Sequence, residues 1–473
     1  MAASQTPLGS DYVIATQDIM KHANKIEFSS FEKFLLFDHR NQYPMNFYIQ
    51  IELEEDIDKP QFFAALAWLS RQHPRLRART RKGLMSCHCE IQDELPLVAW
   101  MDKESPTDRE IILSKFWSQS QRYPGHGVRF LVDKNCNSEL PSCKILMEVF
   151  HPLFDGLFCM RILGELIGYL HIGEQLTPII IERPRREQRP LKPAVKQTIS
   201  IKKYLQVILK YLTYSPAPLW PSLKRASSRN GTAGDVSKPW QALNPSHRVI
   251  LSEAETCKLN EAAQQAGANL NAALVSCIFS TIAKLSTSTG QHKKKLRIAV
   301  PISTLSRTSR ISAQNKIGYV FLDRHSQDCF DTIKLSQWIA DSLQIKKART
   351  EAESYLSIFD FLDKLKWPLW LFSQLPLCHA TAVVSNGGSL ERWISEGTDK
   401  TKSNKMAATV KNFYGVPPIR PRTQMSAGIS KIMDTIAISM LFDEAAAINF
   451  RPIQFVKLLE NEINLYSSHS FYE

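Results

Sequence analysis

The chain has 473 residues, 44% of them hydrophobic and 22% charged, which is ample for buried cores and excludes a disordered chain. The length exceeds one typical domain, so two are expected. A net charge of +13 favours an anionic partner: a phosphorylated cosubstrate, an acidic carrier protein or an anionic membrane surface. No RNP-like motif, zinc finger or helix-turn-helix signature is present, which argues against nucleic acid.

The N-terminal stretch "MAASQTPLGSDYVIATQDIM" lacks a basic region followed by an apolar run, so no signal peptide is read there. No apolar run approaches the ~18 residues of a transmembrane helix. The nine cysteines form no framework, which points to reduced thiols in a cytoplasmic setting. Cys87 and Cys89 flank His88, but no second ligand pair follows at zinc-site spacing, so no metal site is expected.

"NFYIQIELEE" (46–55) alternates and predicts a strand. Asp58 and Pro60 then open a helix whose apolar face is Phe62, Phe63, Leu66 and Leu69; Pro74 stops it. "GVRFLVDKNCNSELPSCKILMEVF" reads as two strands around a polar turn, and the second delivers His151. "LFCMRILGELIGYLHIG" follows with helical periodicity and ends near Gly173. "HPLFDG" (151–156) is therefore a strand-to-helix loop.

Near Arg183 the composition changes. "ERPRREQRPLKPAVKQ" is basic and proline-rich, and "KRASSRNGTAGDVSKPWQ" is polar, so 186–245 reads as a linker. Within it, Ile199–Leu223 is apolar with lysines and aromatics; it fits packing on the body or a peripheral contact with a membrane surface. Regular structure resumes near Ser246. Ser252 and Glu255 have capping-box spacing, Gly267 ends a first helix, and a longer apolar helix follows. "KKKLRIAVPI" and "HATAVVSNGG" predict strands, "SAGISKIMDTIAISMLF" two more, and "IQFVKLLENEINLY" a last helix. Each half mixes strands and helices in a broadly similar order.

Histidine is the side chain suited to act as base and acid near neutral pH. Asp155, four residues on, either orients the imidazole as in a triad or pins the loop by pairing with an arginine elsewhere. Gly156 allows a close turn into the next helix. Cys159 lies on an apolar helical face and reads as a small hydrophobe rather than a nucleophile, and His73 reads as structural. The basic run "HKKKLR" (292–297) reads first as a solvated face and second as a site for coenzyme A phosphates or an acidic carrier. The tryptophans of "KWPLWLFSQLP" read as core or cleft wall.

"FHPLFDG" resembles the HxxxDG mark of the condensation-domain and chloramphenicol-acetyltransferase-like acyltransferases. The resemblance extends along the chain in order. It takes in "FEKFLLFDHRNQYPMNFYIQIEL", "LSRQHPRLRART", "AGANLNAALVSCIFSTIAKL", "RIAVPISTLSR" followed by "NKIGYVFL", "VVSNGG", and "NFYGVPP". The residue before His151 is Phe150, where condensation domains usually carry a second histidine, and the "DFGWG" motif of plant BAHD enzymes is absent.

The resemblance implies an α/β fold: two similar subdomains, each a mixed sheet with flanking helices, forming a V around a tunnel. Residues 1–185 would be the first, carrying HPLFDG, and 246–473 the second. It implies acyl transfer from coenzyme A or a phosphopantetheine arm of a carrier protein to a hydroxyl or amine, with no tightly bound cofactor. His151 would be the general base. Asp155 would be structural and paired with Arg77, Arg79 or Arg307, with one of the "LRAR" pair favoured. Gly156 would keep the loop tight, and Ser385 or Asn386 would face the tunnel near the oxyanion. A non-catalytic relative that binds a carrier protein or lipid in the cleft is the alternative.

Overall fold

A computed structural model describes residues 25–41, 43–82, 87–102, 105–120, 126–135, 142–173, 244–288, 295–305, 314–364, 369–374, 380–395, 400–420, 423–443 and 451–469. The linker up to residue 243, with 199–223, lies outside them, as do Arg307 and residues 292–294.

In chain order the strands are β1 (Lys25–Glu27), β2 (Asn46–Leu53), β3 (Ala78–Lys82), β4 (Cys87–Ile91), β5 (Leu97–Met101), β6 (Val128–Asn135) and β7 (Ser142–Phe150). They continue as β8 (Arg248–Leu251), β9 (Lys295–Ser303), β10 (Ile317–His325), β11 (Ala382–Ser389), β12 (Val410–Val416), β13 (Met425–Ile432) and β14 (Thr435–Phe442). Among the described residues they form three sheets. Five strands run in the order β12-β2-β7-β6-β5, six in the order β10-β9-β11-β13-β14-β8, and three in the order β1-β4-β3.

The two larger sheets, each with helices against it, make the α/β fold of two subdomains. The chain does not divide cleanly between them: β12, late in sequence, pairs antiparallel with β2 and so belongs to the first sheet. The helix Ile345–Lys364 crosses in the same sense, burying Tyr355, Ile358, Phe359 and Leu362 in the first core. There Phe359 meets Phe34 and Phe31 at 4.5 and 5.4 Å between ring centroids.

Local signals explain the elements. Ser29 and Glu32 form a capping box at the helix Ser30–Asp38, as do Ser252 and Glu255 at Glu253–Gln265. Asp58 caps Lys59–Gln72, which buries Phe62, Leu66 and Leu69. Gly267 has φ +70°, a left-handed value that glycine adopts without a Cβ clash, and the helix before it ends there. After Pro74 the chain takes a 3-10 turn to Arg77 before β3 begins. One expectation is corrected. The window Leu270–Thr287 is apolar and long enough to span a bilayer; it is 78% buried and forms the centre of the second core.

Candidate active site

β7 lies inside the first sheet, hydrogen-bonded to β2 and β6, and is almost wholly buried along its second half. Its end is tied down by backbone bonds. The Phe150 amide donates to Gly127 O at 2.8 Å, and the His151 amide to Met45 O at 2.8 Å. The chain then turns through HPLFD and enters the helix Gly156–Ile172. This rigid strand end carries His151 to the wall of a cleft between the two larger sheets.

The cleft encloses about 820 Å³ of space, part of it open to solvent. Met45, Phe47, Ile49 and Phe413 line it from the first sheet and its edge, and Pro301, Val383, Gly428 and Ile429 from the second. The lining is mostly apolar, with His151, Tyr48, Tyr319, Ser385, Arg420 and Ser430 as its polar members. Tyr319 stays a neutral phenol, since burial pushes its pKa up. Arg420 Nε is held at 2.5 Å by Asp38, with the guanidinium over the Phe34 ring.

His151 is 9% exposed. Its Nδ1 lies 3.0 Å from Phe154 O and 3.2 Å from Asn315 Nδ2. Phe47 meets the ring edge-on at 5.2 Å. Nε2 has no hydrogen-bond partner among the described residues. Burial lowers the imidazole's pKa from 6.5, partly offset by the Phe154 carbonyl, so the ring is neutral at pH 7. A neutral imidazole whose Nδ1–H donates to a carbonyl carries its lone pair on Nε2.

Asp155 is fully buried and makes no hydrogen bond to His151. Its Oδ1 accepts from the Phe158 amide at 2.9 Å as the helix N-cap, and its Oδ2 from the Lys316 amide at 3.3 Å. Burial raises its pKa to about 6; the two amides pull against that rise.

Of the expected arginine partners Arg307 lies outside the described residues, and the favoured pair, Arg77 and Arg79, is bonded elsewhere. Arg77 Nη1 donates to Gln92 O at 2.8 Å, and Arg79 pairs with Glu94 at 2.5 Å. Both turn to the connection after β4. The buried arginine of this stretch is Arg75, and it pairs with Glu32 at 2.8 Å. Two backbone amides thus hold Asp155, and among the described residues no arginine is bonded to it.

Gly156 is also read differently. Its φ is not left-handed, and a Cβ there would meet nothing within 4 Å. Its contribution is open space in the cleft that it lines, rather than a tight turn. Ser385 lines the cleft on β11. Asn386 does not: its amide donates to Asn271 Oδ1 at 2.8 Å, and its Oδ1 accepts from the Gly388 amide at 2.7 Å.

The remaining candidates do not line the cleft. Cys159 is buried, and burial holds its thiol well above the ordinary range. His73 Nε2 sits 2.5 Å from Glu165, which Arg161 also binds at 2.8 Å. Burial would raise the Glu165 carboxyl, but His73 and Arg161 outweigh it and hold it low. His88 meets Glu90 at 3.2 Å, and Cys89 Sγ faces Ile26 O at 3.6 Å. Arg297, at the end of the basic run, is buried in a two-pronged pair with Asp323 at 2.6 and 2.7 Å, not solvated. Trp370 is 52% exposed and is neither core nor cleft wall.

Sequence reasoning missed Glu32, Arg75 and Asn315. Glu32 Oε1 accepts from Arg75 and, at 3.1 Å, from the Asn315 amide, while Oε2 takes the Ser29 amide. Asn315 Nδ2 also donates to His151 O at 2.9 Å. The Ser29–Glu32 spacing was readable as a cap; its second use, gripping a segment 283 residues away, was not.

No protein-family model matches the sequence, and no curated protein does. Solved structures share the fold. The TRI3 trichothecene 15-O-acetyltransferase from Fusarium sporotrichioides is 10% identical, with TM-score 0.62 over 93% of this chain and 95% of that one. The cyclization-docking bidomain of the EpoB nonribosomal peptide synthetase from Sorangium cellulosum is 11% identical, with TM-score 0.62 over 95% and 85%. A starter condensation domain of rhizomide synthetase RzmA, in complex with C8-CoA, is 13% identical, with TM-score 0.57 over 96% of each chain. The chain has the two-subdomain fold of these condensation domains and acetyltransferases.

Proposed function

We propose that this protein is an acyltransferase that moves an acyl group from a thioester to a hydroxyl or amine, with His151 as general base. The observation that carries the reading is the state of His151: buried, neutral, anchored through Nδ1 to Phe154 O, with Nε2 unengaged on the wall of an apolar cleft. The fold supports it, since one neighbour is an acetyltransferase and another was solved with C8-CoA.

In this reading the acceptor's O–H or N–H donates to Nε2. As the acceptor's lone pair attacks the thioester carbonyl, its proton passes to Nε2 and the carbonyl oxygen becomes an oxyanion. The imidazolium keeps its Nδ1–H on Phe154 O. Collapse of the tetrahedral intermediate re-forms the carbonyl and breaks the carbon–sulfur bond. Nε2 returns the proton to the departing thiolate, leaving the ring neutral again. Ser385 is the candidate donor to the oxyanion. The apolar walls receive the acyl chain and exclude water that would otherwise hydrolyse the thioester. The donor thiol is coenzyme A or a carrier-bound phosphopantetheine.

The test is thiol release. Wild type and His151→Ala are incubated with acyl-CoA donors of several lengths, with and without pooled alcohols and amines. Release that requires acceptor and vanishes in the variant supports the reading. Donor binding in the cleft without His151-dependent release, from acyl-CoA and acyl carrier protein alike, identifies a non-catalytic binder.

A further inference from the structure

Asn315 reaches His151 from the other half of the chain, 164 residues away, and is itself buried at 3% exposure. Its Nδ2 is the point of contact, 2.9 Å from His151 O and 3.2 Å from His151 Nδ1. Its Oδ1 has no hydrogen-bond partner among the described residues. Turning the amide over would bring Oδ1 against the His151 carbonyl, acceptor on acceptor, so the donor-first orientation is the one its surroundings select.

The backbone of Asn315 is fixed as firmly. Its amide donates to Glu32 Oε1 at 3.1 Å, and Glu32 is held by Arg75. The next amide, from Lys316, donates to Asp155 Oδ2. Two buried carboxylates of the first half thus grip two successive amides of the second half, which places the Asn315 side chain against the histidine loop.

Nδ1 has two neighbours with opposite demands. The Phe154 carbonyl can only accept, so it favours Nδ1–H. The Asn315 amide can only donate, so it would favour a bare Nδ1. The distances decide between them: Asn315 Nδ2 gives one of its two N–H groups to His151 O at 2.9 Å, and Phe154 O, at 3.0 Å nearer to Nδ1 than Asn315 Nδ2 at 3.2 Å, takes Nδ1–H. We infer that Asn315 is a positioning residue for His151. It clamps the 151 carbonyl and closes the Nδ1 flank, so that the ring keeps Nδ1–H on Phe154 O and presents its lone pair at Nε2 to the cleft. The base is therefore complete only when the two halves are docked.

This inference rests on the reading of His151 as the base, but the ring's state is measurable without substrate. The charged and titratable groups around the ring are Asp155 on its own loop, His39 behind Met45, Lys316 beside Asn315, Glu32 with Arg75 beyond it, and Tyr48, Tyr319 and Arg420 across the cleft. None of them hydrogen-bonds the imidazole, so the ring is set by the Phe154 carbonyl, by its own backbone carbonyl and by Asn315.

The experiment labels the protein with ¹⁵N-histidine and assigns His151 by its loss in His151→Gln. Wild type should show a single Nδ1–H tautomer. Asn315→Ala should show a mixed or averaged pair of ring signals. It should also lose acceptor-dependent turnover on the order of a hundredfold, the cost of a base misplaced by about 1 Å, with KM little changed. Asn315→Asp, which sets a carboxylate beside Nδ1, should raise the pH at which His151 protonates by about one unit or more. A wild-type ring with the proton on Nε2 overturns the inference, as do His151 signals and titration unaltered in both folded variants. If the ring behaves as described and no acyl transfer is found with any thioester, the proposed reaction fails while the positioning role stands.

Discussion

Two buried histidines sit within the same half of this molecule and are held in opposite ways. His73 is 3% exposed with a carboxylate 2.5 Å from its Nε2, and that carboxylate is shared with Arg161. His151 is 9% exposed, and its recorded partners are a carbonyl and an amide, both neutral. An imidazole bonded to a carboxylate is tied into a charge network and faces no cleft. One held only by neutral groups keeps a nitrogen for chemistry, and burial keeps it in the basic form. Burial does not separate the two histidines; the charge of the partner and access to the cleft do, and the proposed reading assigns the base to His151 on those grounds.

The largest effect that follows is on turnover. His151→Ala should lower acceptor-dependent thiol release by about a hundred- to ten-thousand-fold, the usual worth of a general base, with the melting curve little changed. Retained turnover would erase the contrast between the two histidines.

His73→Ala should do the reverse. It leaves Glu165 and Arg161 buried with one partner fewer, at a cost of about 3–5 kcal/mol in urea unfolding, while activity per folded molecule survives. Loss of activity without loss of stability would place His73 in the chemistry and break the comparison from its other side.

Asp155 sharpens the comparison, because its carboxylate is close in sequence to His151 yet bonded elsewhere. Burial lifts its folded-state pKa to about 6, above the ordinary 3.8 of an aspartate. The stability it contributes is therefore present at low pH and is lost as pH rises from about 4 to about 6, on the order of 3 kcal/mol in all. His151 acts oppositely. Its folded-state pKa is depressed, so it costs stability only as pH falls below 6.5. Asp155→Asn should remove the first slope and keep the second, read from unfolding free energies across pH 4–7.

The smallest effect concerns the helix cap. Asp155→Ala strips the N-cap acceptor from Phe158 and leaves the Lys316 amide unpaired, for about 2–4 kcal/mol. Asp155→Asn keeps one acceptor oxygen and should cost less. Equal losses in the two variants would mean that the cap contributes nothing.

Much of this was legible in the sequence. The apolar run before His151 and the helical period after it placed the loop on a strand end, because a β7 buried on both faces and an N-capped helix both leave local patterns. Long-range pairing left none. The residue that touches His151 from the second half, Asn315, opens "NKIGYVFL", a stretch that carries the family resemblance, but no local pattern shows that its side chain meets the histidine. Among Arg75, Arg77 and Arg79, spacing cannot tell which is buried; the choice depends on Glu32, 43 residues earlier. β12 joins the first sheet by pairing with β2 across more than 350 residues of chain, so cutting the sequence at a linker does not reproduce the two bodies.

His151 is proposed to work as a neutral base through Nε2, and acceptor-dependent thiol release in single turnovers from pH 5 to 8, in wild type and His151→Ala, decides it. The wild-type rate should fall only on the acid side, with its midpoint below 6.5, and the variant should show no such limb. A wild-type rate that shows no acid limb attributable to His151, or a variant that retains the wild-type profile, would contradict it.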